Sequence, residues 1–164
     1  MEINCNIFPI KVKKTTVKLL RTHSENQDFI QLVKMLDEYL AFMDGDDHAF
    51  YDQFNKIDLL NHCVVLYEEE NAVGCGALKG YDGETAEIKR MFVIPEFRGK
   101  GYATAILTEL EKWAKELQFK KIILETGTGQ KEAIKLYRKT YLQIENYGQY
   151  KGVETSVCFG KELE

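Results

Sequence analysis

The chain has 164 residues, the length of one ordinary domain, and 45% hydrophobic with 29% charged residues is the balance of a folded globular protein rather than a disordered one. Its 22 Lys+Arg against 26 Asp+Glu leave a net charge of -4, which excludes a general attraction to nucleic acid or to an anionic membrane, so any anion site must be local. No apolar run approaches the roughly 18 residues of a membrane span, and Lys11, Lys13 and Lys14 follow the apolar residues of the start, an order that does not suit a secretory signal. A cytoplasmic location is expected.

In chain order, residues 16–22 alternate weakly as a first strand. Ser24-Glu25-Asn26-Gln27 then reads as a capping box, with Ser24 as cap of a helix that presents Phe29, Leu32, Val33, Leu36, Leu40 and Met43 on one face and stops at Gly45. A short second helix is predicted over 47–55. Residues 62–67 and 72–79 read as a hairpin, and Asp82-Gly83 turns the chain into a third antiparallel strand over 86–94. After Pro95 and a glycine-bearing loop comes the clearest helix, with Ala103, Ile106, Leu107, Leu110, Ala114 and Leu117 at helical spacing and a Glu111/Lys115 pair on its wet side. Lys121 to Glu125 is a short strand, parallel to its predecessor because a helix crosses between them. Thr126 to Gly129 opens a helix through about Lys139, and strands over 142–145 and 155–161 close the chain.

This order predicts an α+β fold, a mixed and mostly antiparallel sheet flanked by helices, with residues 1–15 as an N-terminal extension and 16–164 as a single domain. Cys5, Cys63, Cys75 and Cys158 are scattered without metal or redox spacing and read as reduced core thiols; no metal site is expected. His62 adjoins Cys63, but strand neighbours point to opposite faces.

The stretch Arg98-Gly99-Lys100-Gly101-Tyr102-Ala103-Thr104 lies between a strand and the strongest helix. Unpaired amides and the positive end of the helix dipole suit such a loop to a phosphate, glycines let the anion reach the backbone, and Arg98 and Lys100 add local charge. A Rossmann fingerprint would need glycine in place of Thr104, and a P-loop would need Ser or Thr after Lys100, where Gly101 stands. The Gln/Arg-x-x-Gly-x-Gly/Ala pattern at Arg98, Gly101 and Ala103 instead resembles the signature of the Gcn5-related N-acetyltransferases. The run Met91 to Phe97 is similar to that family's fourth strand and its exit, and Ala133-Ile134-Lys135-Leu136-Tyr137 is similar to its second cofactor motif. The strong part of the resemblance covers about 86–142.

The resemblance implies acetyl-CoA as acyl donor, bound where strands four and five splay. Amides of Arg98, Gly99, Lys100, Gly101, Tyr102, Ala103 and Thr104 would hold the pyrophosphate, main-chain groups of Phe92 and Val93 would pair with the pantetheine arm, and Gln130 stands where many members have a cofactor-binding Asn. Tyr137 matches the tyrosine that points toward the CoA sulfur, making it the candidate acid. A primary amine of pKa ~10.4 is neutral in only about one molecule in 2,500 at pH 7, so a base or a water relay must remove its proton. Glu87, eleven positions before Arg98 in an Ala-Glu-Ile run similar to the histone-acetylating branch, is the candidate base, with Lys89 and Met91 expected on its face of the strand. Glu125 competes for that role. Leu124 to Gly127, Asn146 to Tyr150 and Ser156 to Cys158 resemble a subgroup of small bacterial acetyltransferases, and mark Glu125, Tyr147 and Tyr150 as candidate substrate-pocket residues. Asp44, Asp46 and Asp47, with His48, fall where this fold commonly builds its acceptor wall, and equally where acids cap a helix. The expected partner is a small-molecule amine such as an amino acid or a polyamine. Acetylation of a protein lysine or N-terminus and noncatalytic acyl-CoA sensing are the alternatives, and a homodimer is left open.

Overall fold

A computed structural model describes residues 13–47 and 60–164. Seven strands form one sheet: β1 Val17–Thr22, β2 His62–Glu68, β3 Asn71–Gly80, β4 Thr85–Val93, β5 Lys121–Gly127, β6 Leu142–Ile144 and β7 Ser156–Glu162. Their spatial order is β1-β2-β3-β4-β5-β7-β6. Every neighbouring pair is antiparallel except β4 and β5, which run parallel as the helical crossover between them requires. The mixed sheet and, among the described residues, the helices α1 Gln27–Asp44, α2 Tyr102–Glu116 and α3 Lys131–Tyr137 agree with the predicted fold class. No described helix is long and apolar enough to cross a membrane.

Strand alternation sorts the core into two layers. Cys63, Val65, Cys75, Ala77 and Phe92 pack against Phe29, Leu32, Val33 and Leu36, the i, i+3, i+4, i+7 face of α1. Val64, Leu66, Val73, Ala86 and Ile88 face the other way, against Ile106, Leu107 and Leu110 of α2. That helix lies close to β3 because Gly74 and Gly76 carry no side chain. A Cβ on Gly76 would sit 2.6 Å from Met91 Sδ and 2.8 Å from Leu110 Cδ1. Cys63, Cys75 and Cys158 are free, buried thiols, and burial pushes the Cys63 thiol up to about 12. His62 turns to the opposite layer and meets Trp113 edge-on, with ring centroids 4.8 Å apart.

Four local readings change. Asn26 caps α1 in place of Ser24, its side-chain oxygen accepting from the Phe29 amide at 3.0 Å; both residue types cap well, and Ser24 lies in the preceding turn with its own amide on the Leu60 carbonyl. Glu111 does not face water with Lys115. Its carboxylate accepts from the Tyr141 hydroxyl at 2.7 Å and pairs with Lys161 at 3.1 Å, because β7 and the segment after α3 pack on that side of α2. Met91 leaves the face of Glu87: the register steps from Cys75↔Phe92 to Ala77↔Lys89, a bulge in β4 where Arg90 takes a φ of 59°. α3 ends at Tyr137, short of Lys139. The helix expected over 47–55 lies outside the described residues but for Asp47, which ends a 3-10 turn, Gly45–Asp47. Cys5 and His48 lie outside them as well.

Candidate active site

The pairing of β4 with β5 stops at Ile88↔Leu124, and past it the two strands part. Lys89 to Val93 and Glu125 to Gly127 form facing banks of a cleft of about 450 Å³, within the range of small-molecule sites. On the β4 bank, Ile94 N donates to Val73 O at 2.9 Å, which makes Gly74↔Val93 a non-hydrogen-bonded pair. The Val93 amide and carbonyl therefore face away from β3, and the carbonyl accepts from Arg98 Nε at 2.9 Å. Phe92, one step back, turns its main chain to β3 and its ring toward α1.

The glycine loop sits at one end of this cleft. Gly99 and Gly101 both have φ of 80°, and a Cβ on either would meet nothing within 4 Å, so the backbone lies open to a bulky group. Gly101 caps the 15-residue α2 and leaves the first-turn amides unpaired, where the dipole favours an anion. Arg98, Gly99, Gly101, Tyr102, Ala103 and Thr104 all line the cleft, as does Gln130 at the start of α3. The Lys100 side chain turns elsewhere: Nζ lies 2.8 and 3.2 Å from the two carboxylate oxygens of Glu68 at the end of β2. The Arg98 guanidinium stands 5.1 Å from the Tyr39 ring and 5.8 Å from that of Phe92, binding the loop to α1 and β4.

Beyond the last paired residues the cleft holds a charged cluster. Glu87, with only 8% of its side chain exposed, accepts from the Tyr147 hydroxyl at 2.6 Å and lies 3.6 Å from Lys89 Nζ. Burial holds the Lys89 ammonium below its ordinary range, against the pull of Glu87. Glu125 stands on the opposite bank. Burial pushes its carboxyl up to about 7, opposed by a hydrogen bond from Ser156 and the charge of Lys89, while its Oε1 has no hydrogen-bond partner among the described residues. Tyr150 is buried at the same wall, 5.6 Å ring to ring from Tyr147, which in turn meets Tyr81 at 5.4 Å. Asn146 Nδ2 donates to the Val153 and Ser156 carbonyls, both at 3.0 Å, and so clamps the loop that carries these tyrosines.

Tyr137 reaches the cleft from the α2 side of the sheet, held by Phe159 and Tyr141 with ring centroids at 5.9 and 6.1 Å. Burial and the charge of Glu125 raise its phenol above the ordinary value. Asp44 lines the cleft from the end of α1, whereas Asp46 is exposed. The structure thus brings Glu87, Glu125, Tyr137 and Tyr150 to one cleft with the glycine loop, and places Tyr147 behind Glu87. Sequence reasoning passed over Arg90, which also lines the cleft and pairs with Asp37 of α1 through Nη1 at 2.7 Å. The signal available was Lys89-Arg90, two successive cations inside an apolar strand, which regular alternation cannot place on one face without a bulge. No group of three or more metal-ligating side chains occurs among the described residues.

An open β4/β5 seam beside a glycine-capped helix start accommodates an acyl-CoA, with amides for its phosphates and an unpaired strand edge for its amide-bearing arm; this defines an acyl-CoA N-acyltransferase. The model of the acetyltransferase (GNAT) family matches residues 29–141, and the chain belongs to that family, with acetyl-CoA as its acyl donor. It is similar to the IAA acetyltransferase of Azospirillum brasilense, 34% identical over 114 residues that make up 67% of this chain and 73% of that protein. A crystal structure of a putative acyl-CoA N-acyltransferase from Klebsiella pneumoniae superposes with a TM-score of 0.76 at 24% identity, covering 91% of this chain and 99% of the other. A GNAT family acetyltransferase from Elizabethkingia anophelis, solved with acetyl-CoA bound, has a TM-score of 0.66 at 20% identity over 92% of this chain and all (100%) of its own. These two structural likenesses bear on the fold.

Proposed function

We propose that this enzyme transfers acetyl to a primary amine on a small molecule by direct attack, within a catalytic domain spanning residues 16–164. The bound donor supplies a thioester carbonyl and a thiolate leaving group. Amides of the Arg98–Thr104 loop hold its pyrophosphate, the Val93 amide donates toward the pantetheine arm or the thioester oxygen, and the Phe92 ring walls the acyl end. A donor fixed beforehand by β3 pairing on the far side of the strand needs no reorganisation during reaction.

The observation that carries the acceptor side is Glu125, a half-buried residue whose enclosed Oε1 has no hydrogen-bond partner among the described residues and whose carboxyl is raised to about 7. An acid of ordinary pKa ~4.3 is too weak a base for an ammonium, whereas one near 7 is about half ionised at neutral pH and still takes a proton readily. Glu125 takes the proton from the incoming amine. Glu87, its two oxygens already occupied by Tyr147 and Lys89, serves the acceptor by charge and as the next station for the proton. The Tyr137 phenol, pushed above its ordinary value, gives the departing sulfur a hydrogen bond rather than surrendering its proton outright.

The test is a screen of small amines with acetyl-CoA, reading thiol release and checking each hit for acetylated product by mass spectrometry. With the best acceptor, Glu125→Gln should lower kcat/KM at pH 7 by about 10²-fold and recover part of it as the pH rises. Glu87→Gln giving that recovery, with Glu125→Gln silent, moves the base to Glu87. Thiol release without any acetylated amine overturns the small-molecule reading.

A further inference from the structure

Two buried side-chain polar atoms lack a hydrogen-bond partner among the described residues, Arg90 Nε and Glu125 Oε1. Both residues line the same cleft, from opposite banks of the β4/β5 opening. Buried polar groups are ordinarily satisfied, and a lone orphan is costly because it has given up water for nothing. Two orphans of opposite character beside one cleft call for a ligand that satisfies both: Glu125 Oε1 wants a donor and Arg90 Nε an acceptor. We infer that the acceptor carries a carboxylate as well as its amine, the carboxylate received by the Nε edge of Arg90 and the ammonium by Glu125.

The backbone is built to present Arg90 there. Without the bulge, Arg90 would follow Lys89 onto the opposite face, into the apolar layer under α2; its left-handed φ of 59°, uncommon outside glycine, keeps both on the α1 side. Its side chain is only 4% exposed, and Asp37 holds Nη1 at 2.7 Å, which fixes the guanidinium without using Nε. Guanidinium edges accept carboxylates in a planar two-pronged fit, and one fixed by a partner loses little freedom in doing so.

The register agrees. Glu125 stands one position, and Arg90 two, beyond the last pair Ile88↔Leu124, on the two banks of the cleft where the strands have parted. One small molecule seated in the cleft therefore meets a cation on one bank and a carboxyl on the other. A polyamine fits worse, because its second ammonium would meet Lys89 and Arg90.

This inference rests on the small-molecule acetyltransferase reading. The test sets amino acids, with the amine at the α or the ω position, each against its own carboxamide, which keeps the amine and neutralises the carboxylate. Rates at saturating acetyl-CoA are compared as kcat/KM per free amine. The acid should be preferred by about 10- to 100-fold, the range of a hydrogen bond to a charged group. In Arg90→Gln, checked for a native circular dichroism spectrum, the ratio of acid to carboxamide should fall toward one through a higher KM for the acid. Equal turnover of acid and carboxamide by the unmodified enzyme overturns the carboxylate assignment and leaves amine acetylation standing; that arm does not depend on the variant folding. Acetylation of neither member by an enzyme that acetylates another small amine overturns the carboxylate assignment alone, whereas an enzyme that binds acetyl-CoA and acetylates no small amine overturns both readings.

Discussion

The Tyr147 hydroxyl donates to Glu87 Oε2 at 2.6 Å across sixty residues of chain, joining the loop before β7 to the middle of β4. The contact closes the Glu87 side of the cleft, and it makes the loop clamp at Asn146 matter for the position of a strand carboxylate. Tyr147→Phe removes the hydroxyl alone and leaves a buried carboxylate short of one donor, at a cost of about 1–3 kcal/mol. The thermal midpoint should fall by several degrees, and kcat/KM for the acceptor should fall with it while the acetyl-CoA Kd stays within twofold. A variant indistinguishable from the parent in both would show that the contact positions nothing.

Glu125 links stability to pH. Its carboxyl is raised from an ordinary 4.5 to about 7, so the folded state binds a proton that the unfolded chain releases between those values. Stability should therefore be highest below about pH 4.5 as far as this group is concerned, decline as the pH rises to 7, and level off above, by at most about 3 kcal/mol. Glu125→Gln, which cannot ionise, should be more stable than the parent at pH 8, and the difference should shrink as the pH is lowered toward 4.5. Denaturant titrations at the two pH values measure it. A difference that does not change with pH removes the raised proton affinity on which Glu125 is assigned as the base.

Gly101 has open space where a Cβ would project, so Gly101→Glu tests the anion site without a clash inside the protein. The left-handed backbone adds strain of about 1–2 kcal/mol, and the carboxylate faces the helix start that would hold the pyrophosphate. CoA affinity by calorimetry should drop more than tenfold, with Gly101→Ala showing the smaller loss due to strain alone. Equal affinities for the Glu and Ala variants would mean that charge at this loop is immaterial.

Tyr137→Phe keeps the ring that packs on Phe159 and Tyr141. It should lower kcat by about 10- to 1,000-fold with little change in acetyl-CoA binding. Because the phenol is raised above its ordinary value, Tyr137 should contribute no falling limb to the pH profile below pH 10. A limb near pH 9 that vanishes in Tyr137→Phe would refute this placement.

Much of the architecture was legible because it depends on local signals. Helical spacing marks α1 and α2, Asp82 marks its turn by accepting from the Glu84 and Thr85 amides, and the crossover dictates the parallel pairing of β5 with β4. The glycine loop was legible for the same reason. What escaped depends on contacts distant in sequence or on a single irregular residue. Nothing local places β7 between β5 and β6, or gives Glu111 to Tyr141 rather than Lys115. The bulge at Arg90 shifts the alternation that pattern reading takes for granted, and so moved Met91 away from Glu87 and brought Arg90 to the cleft. Glu87 and Glu125 could both be nominated from their strands, but which keeps an oxygen free is decided by Tyr147 and Lys89.

The short seam between β4 and β5 also has a mechanical meaning. Only four residue pairs, Thr85 to Ile88 with Lys121 to Leu124, carry the strand ladder from β1–β4 to β5, β7 and β6, so the sheet is interrupted over half its height. An arm laid along the open banks adds rungs to that ladder. A donor arm bound there acts as a removable strand that extends the ladder, and departing CoA leaves the two banks unpaired again. Amide hydrogen exchange along Met91 to Val93 and Glu125 to Gly127 should slow on loading and recover on release.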